Sequence, residues 1–549
     1  MGVTEQVVGR QAKEQVEAQT TNQITGNRRW WALGAVLITM FFSALDQTVV
    51  ATAMPVIVGD LQGFTLYAWV FTAYMITSAI TVPIYGKLSD IYGRKPFYAL
   101  GLGLFIIGSM ASGAVQNMPQ LIIARAFQGL GAGAMLSMPR ATIGDIFNPR
   151  ERGRWMGVIS SVFGLASIIG PALGGWITDG WGWRWIFYIN LPVALAALVA
   201  IMYALPKVRT DEASHIDWLG TVALAGGLIP MLLAFTWAGS TYPWDSPQIV
   251  ALFAGSIVLL GGFVLIERRA LAPIIPMELF RNRVFTTTNL VGFFVSMGMF
   301  GGVAFLPLFV QGAMGESAAA SGQILTPMML SFIVGSVVGG YLISRTGKYK
   351  VQAVVGSALT VVGMYLLTLM HASVDPWTVV ANMTVLGLGM GSILPLLNVA
   401  VQNVFPYRVM GVVNSAQQFV RSLGGIIATA ILGTVLTQAF TSHFQAQLSG
   451  QLARTIQALP AGQRQALMDP QGLINANAQA AVQSTFRSLG GPNATQMYQA
   501  FVHDIQTALA SAMREVFIMV AVFGGLALLV AFFLPEVKLQ TDEFFQSGD

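Results

Sequence analysis

The stretch Gly86-Lys87-Leu88-Ser89-Asp90-Ile91-Tyr92-Gly93-Arg94-Lys95 returns in outline as Gly340-Tyr341-Leu342-Ile343-Ser344-Arg345-Thr346-Gly347-Lys348-Tyr349, with Gly340 standing 254 positions beyond Gly86. The same offset joins Arg154-Trp155-Met156-Gly157-Val158 to Arg408-Val409-Met410-Gly411-Val412. Gly129-Leu130-Gly131-Ala132-Gly133 is answered by Gly387-Leu388-Gly389-Met390-Gly391. Three paired segments in the same order mean that the chain contains two related halves, and such self-similarity decides architecture before any local reading does.

Working outward, each basic loop is flanked by apolar runs of the length a bilayer demands. About 20 apolar residues are needed to cross, because every backbone group must be satisfied inside the segment. Such runs are read at 30–52, 66–86, 97–116, 119–142, 154–177, 185–205, 217–238, 248–267, 288–311, 321–344, 351–371, 377–399, 411–440 and 513–535. Composition agrees. The 549 residues are 54% hydrophobic and 10% charged, with mean hydropathy +0.65, whereas a soluble domain carries about 25% charged residues. The expected fold is therefore an all-α membrane protein of fourteen spans: two six-helix bundles in the same orientation and an inserted two-helix hairpin. Its expected parts are a tail at 1–29, a bundle at 30–209, inserted helices seven and eight at 210–283, a second bundle at 284–537 and a tail at 538–549.

The net charge of +5 does not signal a nucleic-acid partner, because 22 of the 29 Lys and Arg fall in the tails or in alternate short loops. By the positive-inside rule those loops and both termini are cytoplasmic. The polar N-terminal stretch lacks the apolar core of a cleaved signal peptide. Residues 441–512, rich in Ala, Gln, Ser and Asn, form a long outer segment, read either as helices that prolong the last two spans into a small external cap or as a solvated spacer. There are no cysteines, and the four histidines are widely scattered, so thiol chemistry is excluded and no metal site is expected. No phosphate-binding glycine loop of the ATPase type occurs, and no catalytic constellation suggests an enzyme.

Four stretches make the chain resemble the major facilitator superfamily, specifically its fourteen-span drug:proton antiporter branch. They are Gly86-x-Leu88-Ser89-Asp90-x-x-Gly93-Arg94-Lys95, Leu45-Asp46-Gln47-Thr48-Val49-Val50 with Ala53-Met54-Pro55, Ala124-Arg125-Ala126-Phe127-Gln128-Gly129-x-Gly131, and Gly164-(x)5-Gly170-Pro171-Ala172-Leu173-Gly174-Gly175. The last is similar to the antiporter motif and the third to a motif tied to proton coupling. The resemblance runs from about Trp30 to Pro535 and implies parallel six-helix halves around a central site. It also implies alternating-access export from a bacterial inner membrane.

The residues support this physically. Asp46 is the carboxylate well inside a span of the N-terminal half, and Arg125 its mid-span cation. A charge at that depth is costly and marks function. Burial favours a protonated carboxyl and a nearby cation favours the ionised one, so Asp46 is expected to carry the proton and Arg125 to tune it. Gly86, Asp90, Gly93 and Arg94, with Asp145 and Arg152, are expected to form a cytoplasmic gate in which opposite charges pair and glycines allow a tight turn and close helix approach. Gly170-Pro171 interrupts the fifth span's hydrogen-bond ladder, and Gly174-Gly175 admits a neighbouring helix.

Candidate substrate-lining residues are Gln47, Trp69, Tyr74, Gln128, Gln311, Asn398 and Gln417. An apolar cavity with a few polar anchors suits many hydrophobic ligands. The expected function is proton-coupled export of hydrophobic small molecules, cationic ones included, by a monomer that needs protons and no other cofactor. A translocator of lipids or lipid-linked precursors on the same fold is the alternative, followed by a nutrient:proton symporter.

Overall fold

In the computed structural model, residues 27–536 are described, apart from 147–148, 206–216, 239–241, 271–272, 274, 347–348, 406–409, 448–482, 485 and 488–493. The chain is helical throughout this range. We label its helices α1 (Asn27–Leu61), α2 (Tyr67–Tyr92), α3 (Arg94–Ala114), α4 (Met118–Ile146), α5 (Pro149–Gly180), α6 (Trp185–Ala204) and α7 (Trp218–Trp237). They continue as α8 (Pro247–Glu267), α9 (Arg283–Leu308), α10 (Ala318–Thr346), α11 (Tyr349–Thr368), α12 (Pro376–Gln402), α13 (Met410–Gln447) and α14 (Ala494–Phe532). Among the described residues, thirteen helices are long and apolar enough to cross a bilayer. The fifth expected span falls on α5, which is not among those thirteen.

Local chemistry sets several of the ends. Asp217 accepts from Gly220 N at 2.7 Å to cap α7, and Asn282 accepts from Val284 N at 2.9 Å to cap α9. Asp375 caps α12, with Pro376 at its first position, where a missing N–H costs nothing. Gly93, at φ 90°, separates α2 from α3 in a backbone region that side chains avoid.

The repeat is carried into the packing. Within the first half α2 packs on α4, α3 on α4, α1 on α5, α1 on α6 and α3 on α6. Within the second, α10 packs on α12, α11 on α12, α9 on α13, α9 on α14 and α11 on α14, the same pairs advanced by eight helices. The glycine runs explain two of these pairs in each half. A Cβ at Gly129 would stand 2.4 Å from Tyr74 O in α2, and one at Gly131 would stand 2.3 Å from Gly101 O in α3. Gly387 meets Met328 O of α10 at 2.2 Å and Gly389 meets Thr360 N of α11 at 2.5 Å. Alternate glycines thus let α4 and α12 each lie against two neighbours at backbone distance. Helices α7 and α8 pack on one another, and α7 also touches α2 and α13.

The halves meet at the end of the bundle away from the basic loops. There Tyr67 Oη donates to Ala304 O at 2.6 Å, Gln311 Nε2 to Thr52 O at 2.8 Å, and Ala319 N to Asp179 Oδ2 at 2.8 Å. Gln311 lies on a π-turn, Phe309–Ala313, that follows α9. Helices α13 and α14 extend beyond the expected edges at this same end, where Phe440 stacks on Phe444 at 5.6 Å and faces Phe64 at 5.6 Å. Most of the outer segment, residues 1–26 of the expected N-terminal tail, the expected C-terminal tail and several basic loops lie outside the described residues; residues 27–29 open α1.

Candidate functional site

Three helices of the first half bring the site together. Asp46 on α1 and Arg125 on α4 form a salt bridge of 2.7 Å, Nη1 to Oδ2. The residues are 2% and 1% exposed, so no bulk water screens the pair. Arg125 Nη1 also donates to Gln128 Oε1 at 2.7 Å. Gln128 stands one helical turn further along α4, and its Nε2 returns to Asp46 Oδ1 at 2.9 Å. From α6, Asn190 Nδ2 reaches the same oxygen at 3.1 Å and also Ser109 Oγ at 3.1 Å. Ser109 Oγ in turn donates to Phe187 O at 2.8 Å.

The guanidinium lies over the Tyr74 ring at 4.1 Å and near the Phe187 ring at 6.0 Å. Its Nε has no hydrogen-bond partner. A buried ion pair repays its desolvation only when further hydrogen bonds satisfy the charges. Here both carboxylate oxygens are hydrogen-bonded, whereas the arginine keeps unused donor capacity beside an aromatic face.

Against this pair lies a cavity of roughly 690 Å³, its open mouth included, between the two halves. Gln47, Thr48, Phe71, Tyr74, Met75 and Arg125 line it from the first half; Met299, Phe300, Val303 and Met329 face them from the second. Along α1, α2 and α9 these residues stand on the basic-loop side of Thr52, Tyr67 and Gln311, so the cross-half contacts close the cavity's far end.

Of the seven substrate candidates, Gln47 and Tyr74 line this cavity. The other five stand elsewhere. Gln128 is spent on the ion pair, Gln311 ties the halves, and Gln417 donates to Leu397 O at 3.3 Å within its own bundle. Trp69 and Asn398 are half-buried and lie off the cavity wall. Polarity within a span marks a buried group, but not which surface of the helix it serves.

The antiporter-motif residues lie where α5 meets α1 and α10. A Cβ on Gly170 would stand 1.9 Å from Thr48 Oγ1, on Gly174 2.9 Å from Val49 O, and on Gly175 2.5 Å from Ala318 O. In return, a Cβ on Gly322 of α10 would stand 2.2 Å from Pro171 O. At the basic-loop end, Arg94 Nη1 donates to Ser89 Oγ at 2.6 Å. Gly93 makes the expected turn, but Gly86 has open space where its Cβ would be, so no close helix approach explains it. The side chains of Asp90, Asp145 and Arg152 lie outside the described residues.

Asn190 and Ser109 were not anticipated. Both are polar residues within apolar runs, a signal that was present but competes with many serines of no such role. The cavity's Phe and Met residues had no distinguishing mark among 33 Phe and 26 Met.

Two duplicated helix bundles closing on an apolar cavity, with a buried charge pair at its wall, define a membrane transporter rather than an enzyme. The Major Facilitator Superfamily profile matches residues 36–429, and the chain belongs to that family. The Bacillus subtilis multidrug transporter protein MdtP is 39% identical over 533 residues, covering 96% of this chain and 95% of that protein. Multidrug resistance protein 3 of the same organism is 35% identical, covering 95% and 98%. A solved bacterial homologue of the human lysosomal transporter Spinster has a similar fold, with TM-score 0.60 at 13% identity over 92% of this chain and 98% of that one.

Proposed function

We propose that the protein is a proton-coupled antiporter that exports hydrophobic small molecules by alternating access. The observation that carries this reading is the Asp46–Arg125 pair, buried and hydrogen-bonded on both carboxylate oxygens, with Arg125 on the wall of an apolar cavity. The names of the two Bacillus relatives, a multidrug transporter and a multidrug resistance protein, point to drugs as cargo.

On this reading the carboxylate holds the guanidinium at the cavity wall in the conformation described. Protonation of Asp46 removes the negative charge that restrains Arg125, and the released side chain takes up room in the cavity. Proton and cargo then compete through the position of one arginine, which is the coupling an antiporter needs. The chain crosses the bacterial inner membrane fourteen times as a monomer, α5 being the fourteenth span and α7–α8 an added pair. Both termini face the cytoplasm, as the basic loops dictate. Asp90, Arg94, Asp145 and Arg152 form the gate at that side, and the end closed by Tyr67 and Gln311 faces outward.

Everted vesicles with a respiration-acidified lumen test the reading. Adding cargo should drive protons out of the lumen, read by a pH-sensitive dye, in wild type and not in Asp46→Asn. A response of equal size in Asp46→Asn would place proton coupling elsewhere.

A further inference from the structure

The two members of the ion pair do not face the cavity equally. Arg125 lines it, whereas Asp46 is not part of the wall. Asp46 is engaged behind the wall: Oδ2 takes Arg125 at 2.7 Å, and Oδ1 takes Gln128 at 2.9 Å and Asn190 at 3.1 Å. No other carboxylate belongs to the described wall. The two threonine hydroxyls there turn back on their own helices, Thr48 to Leu45 O at 3.0 Å and Thr429 to Gly425 O at 2.8 Å. Gln47 and Tyr74 remain. The Tyr74 hydroxyl is buried beside Ser43 and Gln47, which are placed to donate to its oxygen, and no acceptor takes its own O–H. A buried O–H without an acceptor is a cost that an arriving acceptor removes.

We propose that this cavity selects uncharged lipophilic molecules that carry a hydrogen-bond acceptor, and discriminates against lipophilic cations. The proposal rests on the exporter reading and names its substrate class. A cation entering here gives up water and finds a guanidinium as the charge presented to it, with the balancing carboxylate spent behind. Aromatic faces are the remaining attraction for a cation, but the Tyr74 face is occupied by Arg125 at 4.1 Å. That leaves Phe71 and Phe300, whose cation–π attraction does not replace a lost counter-ion. An acceptor on a neutral molecule meets no such opposition, and the Tyr74 O–H and the Gln47 amide on the wall are the donors that suit it.

The test compares tetraphenylphosphonium with triphenylphosphine oxide, which share a phenyl shell and differ in charge and in one acceptor oxygen. Equilibrium binding to the purified full-length protein in detergent should favour the oxide by about tenfold or more, the scale on which like-charge opposition acts. Gln47→Glu, nearly isosteric, places a carboxylate on the wall and should raise phosphonium binding roughly tenfold. Met75→Glu does the same from α2 should that variant not assemble. Phosphonium binding as tight as oxide binding in wild type overturns the selectivity and leaves the exporter reading standing. So does a carboxylate on the wall that leaves phosphonium binding unchanged. If neither probe binds while other compounds still drive proton release from vesicles, the acceptor-selective cavity falls alone; if no compound does so, the exporter reading falls with it.

Discussion

In the first half α1, α4 and α6 converge on Asp46, Arg125, Gln128 and Asn190; in the second, the same packing closes on apolar groups. At the offset of 254 set by the loop repeat, Asp46 is answered by Phe300, and at the 258 of the glycine repeat Arg125 is answered by Met383. Phe300 lines the cavity, and Met383 is fully buried. Gln417 and Arg421, two of the polar residues of α13, make hydrogen bonds to Leu397 O and to Gln418 Oε1 in that half. Duplication kept the helix contacts because backbone-to-backbone packing tolerates no added atom, whereas the centre of each bundle was free to change chemistry. Among the described residues, one half therefore supplies the buried ion pair and the other an apolar face of the cavity.

The largest expected effect comes from making the first half resemble the second one residue at a time. Arg125→Met leaves a buried carboxylate with Gln128 and Asn190 as its remaining donors, a loss of about 3–5 kcal/mol for a broken buried pair. Thermal unfolding in detergent should show the drop. Asp46→Asn/Arg125→Met, which removes both charges and keeps the amide contacts, should recover most of that stability while abolishing proton-driven transport. A single Arg125→Met variant as stable as wild type would mean that Asp46 is already neutral in the resting protein.

A smaller effect is expected where the two halves touch. A methyl on Gly175 would press on the backbone of Ala318 and Ala319 at 2.5 and 2.7 Å, and one on Gly322 on Pro171 O at 2.2 Å. Backbone cannot rotate away, so Gly175→Ala and Gly322→Ala should each cost about 1–3 kcal/mol. Because both contacts join the halves at the far end, that cost falls on the closed-ended conformation alone. The natural chain has no cysteine, so Val303→Cys in the cavity wall reports directly on access. An impermeant maleimide added outside should label it faster in both glycine variants. Equal labelling would show that α5 and α10 separate without these contacts being broken. Gly170→Ala is a contrast, since its nearest obstacle is the Thr48 side chain, and Thr48→Ala should relieve part of its cost.

These comparisons also show what was legible in the sequence. The duplicated helix packing followed from the Gly86/Gly340 and Gly129/Gly387 repeats, because a repeat in sequence constrains backbone approach directly. Asp46 and Arg125 were legible because charge inside an apolar span is rare enough to demand a partner, and each had one obvious candidate. Asn190 was not, since an amide in a span has many possible partners within its own helix. The cavity wall was least legible: Met75, Phe71, Met299 and Phe300 differ from lipid-facing Met and Phe only by which neighbour stands opposite. Trp69 and Asn398 show the converse, having the same composition without lining this cavity. Gly86 and Gly93 looked alike as loop glycines, yet one has a positive φ and the other has empty space beside it.

The smallest effect expected is also the one that isolates the halves' contact from its packing. Tyr67→Phe deletes the hydroxyl that bonds Ala304 O across the interface at 2.6 Å and leaves the ring contact with Phe305, 5.5 Å between centroids, in place. The carbonyl belongs to α9 and keeps its place in that helix, so the loss should be about 0.5–1.5 kcal/mol, the net worth of one hydrogen bond. That is roughly a factor of two to ten in the balance between closed and open far ends. Labelling at Val303→Cys should rise by that factor, with little change in unfolding temperature. If unfolding falls as well, the bond holds the fold rather than the gate; if neither moves, Gln311 with Thr52 and the α5–α10 glycines hold the far end shut without it.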